Sequence, residues 1–151
     1  MNPDLSPASK QLRAELRAYF ARIINADDAR DLVDQTEGGP TFSRILKQMG
    51  ADGWLGLGWP VEYGGRGEDP EAQFVFYDEV IRANAPLSLV SLNTVAPALM
   101  KHGTQAQKDF FLPPILAGEL MFAIGYSEPG AGTDLASLRT TARIEGDELV
   151  I

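Results

Sequence analysis

The sequence predicts a mainly α-helical protein that passes into β-structure towards its end. Two patterns predict this. Up to Gly118, apolar residues recur at spacings of three and four behind Ser, Asp or Thr caps, the period of helices with one buried face. After Gly118 that period stops, and β-branched residues gather around the turn Glu145-Gly146-Asp147-Glu148 instead.

Each element follows from local signals. In SPASKQLRAELRAYFARIIN, Ser6 is an N-cap and Pro7 takes the first helical position, where a missing N–H costs nothing. Leu12, Leu16, Tyr19, Phe20, Ile23 and Ile24 then draw one apolar stripe. Asp27, Asp28 and Asp31 read as a solvated helix end. PTFSRILKQMGADG predicts a second helix with Phe42, Ile45, Leu46 and Met49 inward, ended by Gly50 or Gly53.

The stretch WLGLGWPVEYGGRGE, residues 54–68, has no helical period and is rich in glycine, so it reads as a loop. Trp54, Leu55, Leu57 and Trp59 make it apolar enough to pack on the helices. Asp69-Pro70 repeats the cap-plus-proline signature, with Phe74, Tyr77, Val80 and Ile81 as the buried face of the next helix. Leu92, Val95, Leu99 and Met100 have helical spacing around Pro97, which predicts a helix kinked or broken at that proline. Thr104 and Gln107 form a capping box for a short helix that Pro113-Pro114 ends. LMFAIGYS, residues 120–127, reads as a strand, and RTTARIEGDELVI as a hairpin. Residues 1–118 thus form a helical domain, and 119–151 the beginning of a β-domain cut off inside its returning strand.

Composition narrows the function. The formal net charge of −8, from 21 acidic and 13 basic residues, disfavours a polyanionic partner, so no nucleic acid is expected. A nucleotide held by backbone N–H groups stays compatible with it. The chain has no cysteine, which removes disulfides and thiolate metal sites. It has no signal-peptide pattern, and no apolar run approaches the roughly 18–20 residues of a membrane span. A cytoplasmic protein is expected.

Catalytic patterns are few. His102 is the single histidine, which rules out a His-based metal cluster, and its place near a helix C-terminus suits a structural role. No nucleophile elbow, zinc helix or Walker motif is present, and YGGRG reads as a tight loop. The richest stretch is GYSEPGAGTD, residues 125–134. A dinucleotide fingerprint fails there, because Leu135 stands at the third glycine position and no strand–helix–strand unit follows. Two readings of the residues remain: a proline–glycine turn between strands, or a loop whose N–H groups, with the Ser127 and Thr133 hydroxyls, face a flat, polar-edged heterocycle.

The segment 123–138, AIGYSEPGAGTDLASL, resembles the signature of the acyl-CoA dehydrogenase family, which runs approximately small–aliphatic–Ser/Thr–Glu-Pro–x–x–Gly–Ser/Thr–Asp. GWLGLGWPVEYGGRG, HGTQAQKDFFLPPILAGE and TTARIEGDELVI are similar, in order and spacing, to that family's loop, its helix ending in Leu-Pro and its first β-hairpin. The resemblance covers most of residues 40–151.

The resemblance implies a fold and a chemistry. The fold is the family's N-terminal helical domain followed by the first strands of a truncated, β-barrel-like middle domain; a C-terminal helical bundle completes the family's architecture. The chemistry is FAD-dependent α,β-dehydrogenation of an acyl-CoA thioester, in β-oxidation of a fatty acid or steroid side chain, with electrons passing to an electron-transfer flavoprotein. By matching position, the flavin contacts are Ile124, Tyr126, Ser127, Gly132 and Thr133. Thr133 also lies where the substrate's pantetheine arm passes, and Leu92, Val95 and Leu99 are candidates for the acyl pocket. Glu128 and Asp134 are expected to fix the loop. Ile124 and Tyr126 exchange the family's commoner aromatic and aliphatic positions, and the local sequence looks most like an actinobacterial branch acting on steroid side chains.

The family's catalytic glutamate and its second flavin-binding strand, which carries a tryptophan, match no position here. No catalytic residue is assigned in this chain, and alone it is expected to be inactive. A homo- or hetero-oligomer is expected, and a non-catalytic subunit of a heteromeric dehydrogenase is the alternative. A flavin-independent binding module is a third reading, and oxidase relatives share the same motifs.

Overall fold

A computed structural model of the chain describes residues 5–34 and 38–151. It is mostly helical, with two short strands near the end. Helix α1 (Pro7–Ile23) starts as expected: the Ser6 hydroxyl accepts from the Ser9 N–H at 3.2 Å, and Leu16, Tyr19 and Phe20 are buried. The acidic stretch behind it opens a second helix, α2 (Ala26–Asp34), where Asp27 and Asp31 are solvated as expected and Asp28 is buried. Asn25 accepts from the N–H groups of Asp27 and Asp28 at 2.8 and 2.9 Å, while the Asp28 carboxylate accepts back from the Asn25 N–H at 3.1 Å. This reciprocal cap satisfies N–H groups that a helix start leaves without partners, and two carboxylates there favour the helix dipole. Asp28 is buried and also accepts from the Arg44 guanidinium. The Asn25 N–H, then Arg44, hold its carboxyl below the usual range.

Helix α3 (Pro40–Ala51) buries Phe42, Ile45, Leu46 and Met49 as the spacing predicts. It ends at Gly53 rather than Gly50: Gly53 has φ +75° and donates to the Gly50 carbonyl, and Trp54 donates to Met49. That double bond pattern requires a left-handed residue, which glycine adopts without strain. The loop 54–68 packs inward, with Trp54, Leu55, Leu57 and Trp59 buried. Trp54 lies between Tyr19 and Phe76, at ring-centroid distances of 5.4 and 6.5 Å, and Arg66 covers it at 4.3 Å.

Helix α4 (Pro70–Arg82) begins at Asp69, whose side chain accepts from the Ala72 N–H at 2.8 Å. Its buried face departs from the expected one. Phe74 and Ile81 are exposed, while Ala72, Val75, Phe76, Glu79 and Val80 point inward. The inward stripe contains a glutamate, which hides it from a hydrophobic pattern. Glu79 is 2% exposed, and it faces Arg17 at 2.9 Å and Arg13 at 3.2 Å on α1. Burial of a carboxylate is tolerable only when such partners replace its water.

The next helical run contains a change of pitch. Residues Val90–Val95 form a π-turn, which passes directly into α5 (Ala96–His102) with Pro97 in its first turn. The expected break at Pro97 takes this form because the wider turn moves the preceding carbonyls away from the proline ring. Helix α6 (Gln105–Leu116) opens with the predicted Thr104–Gln107 capping box. Pro113 and Pro114 lie inside it and do not end it. Proline removes a donor but keeps its carbonyl, and those carbonyls accept here from Ala117 and Glu119, both at 2.9 Å. Gly118, with φ +70°, makes the actual stop.

Beyond Gly118 the expected strand over 120–127 is absent. A strand needs a neighbour to satisfy its N–H and C=O groups, and none runs beside this segment among the described residues. The hairpin is present: β1 (Arg143–Glu145) pairs antiparallel with β2 (Glu148–Val150), Ile144 opposite Leu149, around Gly146 at φ +67°.

Candidate functional site

The stretch 125–134 is built on one tight turn. Glu128 and Ala131 exchange both main-chain hydrogen bonds at 3.1 Å across Pro129-Gly130. Ala131 is buried, while Ile124, Tyr126, Ser127, Gly132 and Thr133 are exposed. The Glu128 carboxylate fixes the return of the chain. It accepts from the N–H of Arg139 at 3.0 Å and of Thr140 at 2.6 Å, and from the Thr140 hydroxyl. The Thr140 hydroxyl, followed by those N–H groups, pulls the Glu128 carboxyl below the ordinary glutamate range. Asp134 takes part through its carbonyl, which accepts from the Ser137 hydroxyl at 2.8 Å.

The glycines here differ from those of the helical part. A Cβ on Gly125, Gly130 or Gly132 would meet nothing within 4 Å, and none of the three has a left-handed φ. Neither backbone conformation nor packing inside this chain explains them. The three positions leave the backbone there open to close approach. The N–H groups of Tyr126, Ser127, Gly132 and Thr133, and the hydroxyls of Ser127 and Thr133, donate to no group among the described residues. The surface therefore offers a row of donors beside two apolar side chains.

The helix residues fall apart into two environments. Leu92 is 2% exposed and belongs to the core, whereas Val95 and Leu99 are half-buried. Leu92 also lines a cavity of about 440 Å³, with Leu55, Trp59, Phe76, Pro97 and Met100 as apolar wall. Asn93 and Tyr77 stand at this cavity too, joined by a hydrogen bond of 2.7 Å from the Tyr77 hydroxyl. One contact links helix and loop: the Phe122 N–H donates to the Ser91 hydroxyl at 2.8 Å, two residues before Ile124. Ser91 and Trp59 carry no sequence signal of a functional role. Among the described residues no acidic, histidine or cysteine group could hold a metal, and no helix is long and apolar enough to cross a membrane.

Residues 6–119 match the model of the acyl-CoA dehydrogenase N-terminal domain. The chain belongs to the acyl-CoA dehydrogenase family. Acyl-CoA dehydrogenase FadE29 of Mycobacterium tuberculosis is 50% identical over 98% of this chain and 38% of its own length. The solved Tcur3481-Tcur3483 steroid ACAD is 53% identical with a TM-score of 0.91, covering 99% of this chain and 39% of that one. The ChsE4-ChsE5 complex from Mycobacterium tuberculosis gives 49% identity and a TM-score of 0.88, over 99% of this chain and 38% of that one. The chain thus spans well under half the length of these relatives. Its helices and terminal hairpin are the family's N-terminal helical domain and the start of its β-domain.

Proposed function

We propose that this chain serves the FAD-dependent α,β-dehydrogenation of an acyl-CoA thioester, with the CoA thioester of a steroid side chain as substrate class. Residues 1–118 act as the helical domain and 119–151 as the opening of the β-domain. The observation that carries the reading is the donor-lined glycine loop, where a Cβ on Gly125, Gly130 or Gly132 would meet nothing within 4 Å. Those features fit a flavin: a planar ring with a polar edge needs N–H donors and close backbone approach. In this reading the Ser127 and Thr133 hydroxyls and the nearby N–H groups bind that edge, and Thr133 also meets the pantetheine arm. Ile124 and Tyr126 exclude water from the ring's face. When bound, FAD supplies the acceptor for the hydride that leaves the β carbon.

Glu128 keeps these groups in place through its hydrogen bonds to Arg139 and Thr140. Leu92, which lines the cavity of about 440 Å³, contacts the apolar end of the acyl group, and Val95 and Leu99, which do not line that cavity, meet it further along. The steroid class is supported by the named relative, a steroid ACAD, at 53% identity. In this reading none of the side chains assigned above is the base that takes the α proton. Electrons leave to an electron-transfer flavoprotein or a similar acceptor.

A second reading is a non-catalytic subunit of a hetero-oligomer. It is favoured by the two-component naming of both similar structures. The test is to express the complete encoded protein alone and with a related partner chain. Flavin absorbance and steroid acyl-CoA-dependent reduction of a dye are then recorded. Flavin in either preparation, with turnover, supports the main reading; flavin held wholly by the partner selects the second; a colourless, inactive complex rejects both.

A further inference from the structure

The carbonyl of Leu92 has lost both donors that a helix would give it. In an α-turn it would accept from the Ala96 N–H, but that N–H donates instead to the Ser91 carbonyl, five residues back. In a continued π-turn it would accept from residue 97, which is proline and has no N–H. A buried carbonyl without a donor is unfavourable. The donor here comes from another element: the indole N–H of Trp59 reaches the Leu92 carbonyl at 3.3 Å, in a buried contact.

Trp59 comes from the loop between α3 and α4, and it is 7% exposed. Loop, proline and π-turn are thus one device. Pro97 disfavours the α-turn, because its ring would meet the carbonyl four residues back. Trp59 satisfies the carbonyl that the wider turn strands. Register matters because one extra residue rotates everything beyond it by about 100° relative to what precedes it. The π-turn therefore sets how Asn93 and Leu92, before the extra residue is absorbed, are phased against Pro97, Leu99 and Met100 after it. Four of these residues, with Trp59 itself, line the same cavity.

We propose that Trp59 is a positioning residue for the acyl pocket: its indole N–H closes the π-turn at Leu92, and that turn decides which side chains form the cavity wall. The pocket's role rests on the functional reading above; the clamp on the turn does not. On this view acyl selectivity depends on a residue of the apolar loop acting through the helix.

The test uses the complete encoded protein in three forms: wild type, Trp59→Phe, and Trp59→Phe with Pro97→Ala. The phenylalanine keeps an apolar ring but has no N–H. The alanine restores an N–H at the one position from which the π-turn itself can serve Leu92. Leu92 and Ala96 are 2% and 0% exposed, so packing favours the wild-type phase of the helix wherever the Leu92 carbonyl again has a donor, as it does in the double variant. Two quantities are read: exchange of the Ala96 amide, whose bond to Ser91 defines the π-turn, and the ratio of kcat/KM for a steroid side-chain thioester to that for a short straight-chain one.

Trp59→Phe is expected to speed Ala96 exchange about tenfold, the factor that a buried hydrogen bond supports. It is expected to move the substrate ratio by about tenfold, the scale of a small change in an apolar pocket. The double variant is expected to bring both back towards wild type. General loss of folded protein would lower both substrates equally and leave the ratio alone, so an unchanged ratio overturns the proposal. So does unchanged exchange in Trp59→Phe, or a double variant no closer to wild type than the single one. A wild type that turns over neither thioester sinks the functional reading and the pocket role with it, while the exchange measurements still decide the clamp.

Discussion

The main-chain N–H of Phe122 donates to the hydroxyl of Ser91 at 2.8 Å, and Ser91 is 1% exposed. This bond fastens the segment entering the glycine loop to the π-turn. The Ser91 hydroxyl also lies 2.7 Å from that of Ser88, so one buried oxygen joins three chain positions. Ser91→Ala leaves the Phe122 N–H without its acceptor, a loss of about 1–3 kcal/mol. Urea unfolding measures it. A change below about 0.5 kcal/mol, the level of an ordinary surface substitution, would show that the contact does not fasten the segment.

Glycines at two kinds of position should respond oppositely. A Cβ on Gly50 would lie 2.5 Å from the carbonyl carbon and oxygen of Ala117, where α3 meets the end of α6. Backbone cannot move aside as a side chain can, so Gly50→Ala should cost about 2 kcal/mol, as overpacking does. Gly132→Ala meets nothing within 4 Å and should leave stability within about 0.5 kcal/mol. Its effect should fall on FAD instead, read as the ratio of flavin to protein absorbance after gel filtration of the complete encoded protein. Equal flavin content in wild type and Gly132→Ala would remove the assignment of this glycine to the cofactor.

Glu79 joins α4 to α1 through Arg13 and Arg17. Glu79→Ala strands guanidinium groups that were arranged around a buried carboxylate, and removal of one partner of such a set costs about 3 kcal/mol. Replacing Arg13 and Glu79 together by apolar residues should recover part of that loss, because one of the two stranded charges disappears as well. Chemical denaturation of the Glu79 variant, the Arg13 variant and the double variant measures the coupling. Additive losses in the double variant would mean that the two side chains act independently.

The helices were legible wherever a cap and an apolar stripe agreed, as at Ser6 with Leu16 and Phe20, or at Thr104 with Gln107. Reading failed where a polar residue did an apolar residue's work. Glu79 occupies a core position of α4, and Asn25 with Asp28 opens α2 through a cap made from residues that also favour solvent. The prolines misled in one direction only. Pro97 did disturb its helix, but Pro113 and Pro114 were accommodated because Gly118 supplies the stop. The motif marked the loop's residues, and the structure places Ile124, Tyr126, Ser127, Gly132 and Thr133 on an exposed stretch around one tight turn. The contacts that hold it, Ser91 to Phe122 and Trp59 to Leu92, join positions 31 and 33 residues apart. Neither pairing leaves a mark on the local pattern.

The Glu128 carboxylate makes the loop's geometry depend on pH in a definite direction. The Thr140 hydroxyl and the N–H groups of Arg139 and Thr140 all donate to it, which favours its charged form and lowers its pKa. A carboxyl whose folded pKa is depressed contributes stability in full above its unfolded value, about 4.3 for glutamate. That contribution disappears as pH falls through the lower, folded value. Around neutral pH the turn should therefore be insensitive to Glu128, and it should loosen only in the acid range below the ordinary glutamate pKa. The amide NMR shifts of Arg139 and Thr140 should titrate together with a midpoint below about 4.3. Glu128→Gln should abolish that titration and displace the Arg139 signal at neutral pH, since its amide NH₂ replaces the carboxylate oxygen that only the Arg139 N–H meets. A midpoint at or above the ordinary value would mean that the carboxylate does not gather these groups in solution, and the loop would need another source of order.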